Sequence, residues 1–190
     1  MGEFTRLPSD LPVPADDGAA DHLPGASMPA ITLTATTGAG VELSNLPNGG
    51  PTILYVYPMT GRPGVALPEG WDDVPGARGC TPESCGFRDH HADLLYAGAS
   101  GVYGLSSQDT DYQREAVQRL RLPFALLSDP ELTLAAALRL PTFSIDGTAR
   151  YQRITLVVTE GMIEHVFYPV FPPGEHAEQV LDWVRSRPAR

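Results

Sequence analysis

Thr52-Ile53-Leu54-Tyr55-Val56-Tyr57-Pro58 is the stretch on which the fold turns. Six consecutive β-branched, aliphatic or aromatic residues, stopped by a proline that cannot donate to a ladder, describe a central strand covered on both faces. Asn48-Gly49-Gly50-Pro51 breaks the chain just upstream. Downstream, residues 59–79 carry the turn signals Gly61-Arg62-Pro63-Gly64, Pro68-Glu69-Gly70 and Pro75-Gly76. A loop this long is uncommon in a compact domain and is often functional. Trp71 is the side chain expected to pin it to the body.

Working outward toward the N-terminus, Ile31 to Thr34 and Val41 to Leu43 alternate in polarity on either side of Gly38-Ala39-Gly40, which predicts a β-hairpin extension with one buried face. Residues 1–28 read as an irregular arm, rich in proline and interrupted by Ala15-Asp16-Asp17-Gly18, with Leu11, Val13 and Leu23 as its anchors. Toward the C-terminus the expected elements are a helix over 81–97, a strand Val102 to Ser106 and a helix Thr110 to Leu120. There follow a strand Phe124 to Leu127, a helix Pro130 to Leu138, strands Thr142 to Ile145, Ile154 to Thr159 and Ile163 to Tyr168, and a helix Glu175 to Arg185. This order implies an α/β protein with a mixed central sheet and helices on both faces, one domain over residues 29–190. Phe167-Tyr168-Pro169-Val170-Phe171-Pro172-Pro173 reads as a rigid loop packed on its own core.

The 190 residues include 13 Lys and Arg against 23 Asp and Glu, a net charge of −10, so the basic footprint that nucleic acid requires is missing. No apolar run approaches the roughly 18 residues of a membrane span, and the N-terminus lacks a basic segment followed by an apolar one. The expectation is a protein free of membrane and located in the cytoplasm. Cys80 and Cys85 are the sole cysteines. In a reducing cytosol such a pair is more often catalytic, redox-sensing or metal-binding than a structural staple.

In Gly79-Cys80-Thr81-Pro82-Glu83-Ser84-Cys85, Thr81 suits an N-cap and Pro82 the first helical position. A thiolate at a helix start is favoured by unpaired N–H groups and the dipole, so the pKa of Cys80 is expected to lie below the usual ~8.5. Were both cysteines in one unbroken helix, their Cα atoms would stand roughly 8.7 Å apart. A disulfide needs about 4.4–6.8 Å, so the bond would require the first turn to unwind. A start after Cys80 would require less movement. Asp89-His90-His91 with the cysteines can be forced into a zinc set, but there is no Cys-x-x-Cys, and adjacent histidines point to different sides of a helix. Arg78, beside Cys80, reads as an exposed loop arginine.

Tyr57-Pro58, Gly79-Cys80-Thr81-Pro82-Glu83-Ser84-Cys85-Gly86-Phe87-Arg88-Asp89, Leu126-Leu127-Ser128-Asp129-Pro130 and Arg153-Ile154-Thr155-Leu156, in that order, resemble the peroxiredoxins of the bacterioferritin comigratory protein or PrxQ class. The resemblance covers about residues 28 to 187. It implies a thioredoxin-like fold, reduction of hydrogen peroxide and organic hydroperoxides, and no metal or organic cofactor. Cys80 matches the peroxidatic cysteine, which becomes a sulfenic acid. Cys85 matches the resolving cysteine, which closes an intramolecular disulfide reduced by thioredoxin or a similar dithiol protein. Arg153 matches the arginine that supports the thiolate and orients peroxide. The family pattern also has a Pro seven residues and a Thr three residues before the peroxidatic cysteine, where this chain has Asp73 and Ala77. An insertion within 59–79 has displaced them, which makes Thr60 the candidate peroxide-binding hydroxyl. Two alternatives use the same cysteine pair: a dithiol oxidoreductase exchanging disulfides with proteins, and a redox sensor without turnover. A monomer is expected.

Overall fold

A computed structural model describes residues 7–8 and 10–188; residues 1–6 and 9 of the expected arm, and 189–190, lie outside the described residues. β3 (Thr52–Val56) is buried along its whole length. It pairs in parallel with β4 (Gly101–Ser106) and antiparallel with β8 (Ile154–Thr159). β5 (Leu126–Ser128) extends the parallel side. The hairpin of β1 (Thr32–Ala35) and β2 (Gly40–Glu42) closes that side, and β9 (Met162–Phe167) closes the other. The seven-stranded sheet runs β2-β1-β5-β4-β3-β8-β9.

The two-residue period of β3 explains why an unbroken apolar run was needed. Leu54 and Val56 face one core with Leu105, Leu127 and Leu156, while Ile53, Tyr55 and Tyr57 face the other with Val102, Leu126 and Val157. The second core is roofed by α1 (Cys80–Asp89), α2 (His91–Tyr96), α3 (Thr110–Leu120) and α5 (His176–Ser186), through Phe87, Leu94, Ala116, Leu120, Val180 and Val184. The first is covered by α4 (Thr133–Leu138) and by residues of the arm.

Several expectations change in detail. The helix expected over 81–97 is two helices, bent at His90 (φ −95°, ψ 4°). Beyond the bend the His91 ring tilts on Phe124 at 5.6 Å, Leu94 is buried and Leu95 is exposed. α4 starts three residues later than expected, because Leu132 is left-handed (φ 53°) and the Asp129 carboxylate accepts the N–H groups of Thr133 and Leu134. β7 (Thr148–Tyr151), too polar to stand out, pairs with β6 (Thr142–Ile145) in a separate hairpin. Trp71 does pin the long loop, packing on Phe143 of that hairpin at 5.9 Å with the Arg150 guanidinium over its ring.

The arm is continuous with the core. Ala20, Leu23 and Met28 are buried in it, and the Gly25 and Met28 N–H groups donate to the Ile163 and Gly161 carbonyls along β9. Leu11 is half-buried, whereas Val13 is 65% exposed and anchors nothing. Truncating the fully buried Leu23 to Ala is therefore expected to cost about 2–5 kcal/mol. Val13→Ala should stay within about 0.5 kcal/mol. Urea midpoints of the two variants check the contrast, and equal midpoints would refute the arm's role in stability.

Candidate active site

Gly104 sets the position of the reactive helix. A Cβ there would stand 2.5 Å from Leu126 Cδ2 and 2.6 Å from Tyr55 Cζ, so only glycine lets the Tyr55 ring lie across β4. Tyr55 then stacks on Phe87 at 4.4 Å between ring centres, and its hydroxyl donates to Ser84 Oγ at 3.2 Å. Both partners lie on α1. At the N-terminal end, Gly79 adopts φ 109°, and a Cβ would come within 2.3 Å of Pro173 Cγ. The 167–173 loop thus abuts the helix start.

Helix α1 begins at Cys80, so both cysteines lie in one helix and the longer separation anticipated above applies. Both are free thiols, Cys80 2% exposed and Cys85 half-buried. The Cys80 sulfur receives the Arg153 Nη2 at 3.2 Å and the Met59 N–H at 3.4 Å, and the thiol faces the Ala77 carbonyl at 3.6 Å. Arg153 precedes β8 and is buried to 3% exposure. Its Nη1 donates to Glu83 Oε2, and its Nη2 also reaches the carbonyls of Gly76, Ala77 and Arg78 at 3.2–3.4 Å. The insertion's last residues are therefore folded around the guanidinium. Arg78 spends its own charge on Asp72 at 3.0 Å and is 16% exposed at the side chain, less open than expected.

Burial pushes the Cys80 thiol above its ordinary value, against the attraction of Arg153; the Glu83 carboxylate pushes it the same way as burial. The lowering expected from the helix start is thus outweighed by desolvation in the closed site. Burial also raises Glu83, to about 7, opposed by Arg153. Cys85 is raised by burial, with Arg88 opposing.

Thr60 is not brought to the sulfur by a hydrogen bond. Its hydroxyl and N–H both donate to Gln108 Oε1, at 3.1 and 2.9 Å, and Gln108 Nε2 returns a bond to the Thr60 carbonyl. Gln108 joins Gln113, which accepts from the Tyr57 hydroxyl, so Thr60 locks the strand exit to a buried polar network. Thr81 is not the N-cap, that position being Gly79. Among the described residues no group of three or more His, Cys, Asp or Glu is arranged to hold a metal. Sequence reasoning missed the site role of Glu83, although a spacing of three from Cys80 places both on neighbouring turns of one helix.

A redoxin family model matches residues 23–181. The chain belongs to the redoxin family, in its peroxiredoxin Q branch. It is 32% identical to the putative peroxiredoxin bcp of Coxiella burnetii over 160 residues, 82% of this chain and 95% of that one. It is 28% identical over 162 residues to a putative chloroplastic peroxiredoxin Q of Oryza sativa, covering 85% of this chain and 66% of the rice protein's length. Its structure resembles that of peroxidoxin BcpB from Mycobacterium tuberculosis, with a TM-score of 0.71 and 26% identity over 88% of this chain and 100% of the other. In this redoxin the ionised Glu83, which forms as pH rises through about 7, opposes thiolate formation beside it. Glu83→Gln in a Cys85→Ser background is thus expected to shift the ultraviolet thiolate titration of Cys80 to lower pH. An unchanged or higher midpoint would contradict the assigned coupling.

Proposed function

We propose that this chain is a thiol-dependent peroxidase acting on hydrogen peroxide and organic hydroperoxides. The observation that carries the reading is the Cys80 sulfur held 3.2 Å from a buried guanidinium, with a second cysteine in the same helix. The Cys80 thiolate attacks the terminal peroxide oxygen; the S–O bond forms as the O–O bond breaks, and the leaving oxygen takes a proton as water or alcohol. Arg153 stabilises the thiolate and the charge developing on the leaving oxygen. Cys85 then attacks the sulfenic sulfur, expelling water and leaving a Cys80-Cys85 disulfide. A dithiol protein such as thioredoxin supplies the two electrons and two protons that restore the thiols.

A wider hollow of about 330 Å³ shares Met59, Gly61 and Leu67 with the small crevice that Cys80 lines, and has room for the carbon skeleton of an organic hydroperoxide. Burial of Cys80 also discriminates between readings. A dithiol exchanger must present its attacking sulfur to another protein, whereas a small peroxide can enter a closed site.

The proposal extends to a monomer in the cytoplasm. The edges of the sheet are blunted: β2 has three residues, and the arm bonds to β9 at residues 161–163. The thiols require a reducing compartment to be regenerated.

Stopped-flow mixing of reduced protein with stoichiometric hydrogen peroxide tests the reading. Both thiols should disappear rapidly; Cys80→Ser should abolish the reaction, and Cys85→Ser should halt it at the sulfenic acid. Oxidation no faster than that of a free thiol would defeat the peroxidase reading. Rapid reduction of protein disulfides in its place would favour the exchanger, and oxidation without turnover by thioredoxin the sensor.

A further inference from the structure

Among the described residues, the crevice directly beside Cys80 measures about 10 Å³ and is walled by Met59, Leu67, Trp71, Arg78 and Thr81 together with Cys80 itself. That is about the space of one water-sized group. Thr81 carries the one hydroxyl in this lining. The residue is 3% exposed, and its Oγ1 has no hydrogen-bond partner. A buried hydroxyl without a partner is costly and calls for a reason. The usual local reason is excluded, because the helix is capped at Gly79 and Thr81 makes no capping bond.

The two other positions considered for this hydroxyl do not line the crevice. Three residues before Cys80 stands Ala77, which has a methyl group and offers only its backbone carbonyl to the thiol. The Thr60 hydroxyl is held by Gln108. A hydroxyl both donates and accepts, which suits it to the terminal O–H of a peroxide.

We propose that Thr81 is a catalytic residue whose hydroxyl hydrogen-bonds the peroxide oxygen attacked by Cys80, a role for which Ala77 has no hydroxyl. This inference rests on the peroxidase reading. Thr81 Oγ1 accepts from the terminal O–H and holds that oxygen in line with the sulfur. As the S–O bond forms and the O–O bond breaks, that oxygen and its hydrogen become the sulfenic acid, and the other oxygen departs and is protonated from water. The hydrogen bond orients the bond being broken and moves no electrons itself.

The test compares Thr81→Val, which keeps shape and removes the hydroxyl, with Thr81→Ser, which keeps the hydroxyl. Two rates are read on each reduced protein by stopped flow: oxidation by hydrogen peroxide, and alkylation of Cys80 by iodoacetamide in a Cys85→Ser background. The expected result is a loss of about tenfold or more in the peroxide rate for Thr81→Val, the scale of one hydrogen bond in a transition state. Iodoacetamide reactivity should change less than about twofold, and Thr81→Ser should recover most of the peroxide rate. The Thr81→Val protein should unfold at the same urea concentration as wild type or a higher one, having lost an unpartnered buried hydroxyl. A wild-type peroxide rate in Thr81→Val, a parallel fall in both rates, or no recovery in Thr81→Ser would each overturn the assignment. Wild-type protein that reacts with peroxide no faster than a free thiol would instead overturn the peroxidase reading beneath it. If Thr81→Val does not fold, Thr81→Ala is judged by the same two rates.

Discussion

A single buried guanidinium, that of Arg153, organises the site. A cation removed from water must be surrounded by acceptors, and removing one partner of such a pair costs about 3–5 kcal/mol because the remaining charge is stranded. The chain meets this need from three directions. The loop folds back so that the Gly76, Ala77 and Arg78 carbonyls point inward, α1 supplies the Glu83 carboxylate, and the Cys80 sulfur adds a further acceptor, while the Arg153 Nε is left without a partner among the described residues. The left-handed Gly79 lets the chain pass from that loop into α1 while Pro173 closes over it. Beneath lies Tyr55, seated on Gly104 and stacked on Phe87, which fixes the height of the helix above the sheet.

That arrangement has a mechanical consequence. Cys80 and Cys85 share an unbroken helix, so the proposed disulfide requires the first turn of α1 to open, and opening it withdraws the sulfur from Arg153. On the proposed mechanism, the closed helix is the state in which peroxide is attacked, and the opened helix the state in which the disulfide forms and a reductant reaches it. Desolvation, which raises the Cys80 thiol in the closed state, also keeps competing thiols and protein disulfides away from it. Loss of that burial on opening is what exposes the pair.

Much of the frame was legible because it depends on local pattern. β3 announced itself through a run of residues that no half-exposed strand would tolerate, and the cysteine pair through its isolation. Arg153 was reached through the resemblance alone, since nothing in its flanking sequence shows that it is buried. What the chain withheld depends on distance in space. Thr60 stands just past the strand end, yet Gln108, 48 residues on, claims its hydroxyl. The direction of the Cys80 shift is set by burial under the loop, which the helix-start argument left out. β7 buries only Tyr151 of its four residues and pairs with its neighbour β6 in a separate two-stranded sheet, so it has no alternation to stand out. Past the bend at His90, the His91 ring packs on Phe124, a residue more than thirty positions away.

The account depends most directly on the coupling between disulfide formation and unwinding of α1. Amide hydrogen exchange before and after one equivalent of hydrogen peroxide measures it, with mass spectrometry confirming the Cys80-Cys85 bond. The amide of Glu83, bonded to the Gly79 carbonyl at 3.0 Å in the closed helix, and those of Ser84 and Cys85 should lose protection in the oxidised protein. The amides of β3 should keep theirs, and Cys85→Ser protein should show no loss at either place. A confirmed disulfide with unchanged protection at residues 83–85 would contradict the account.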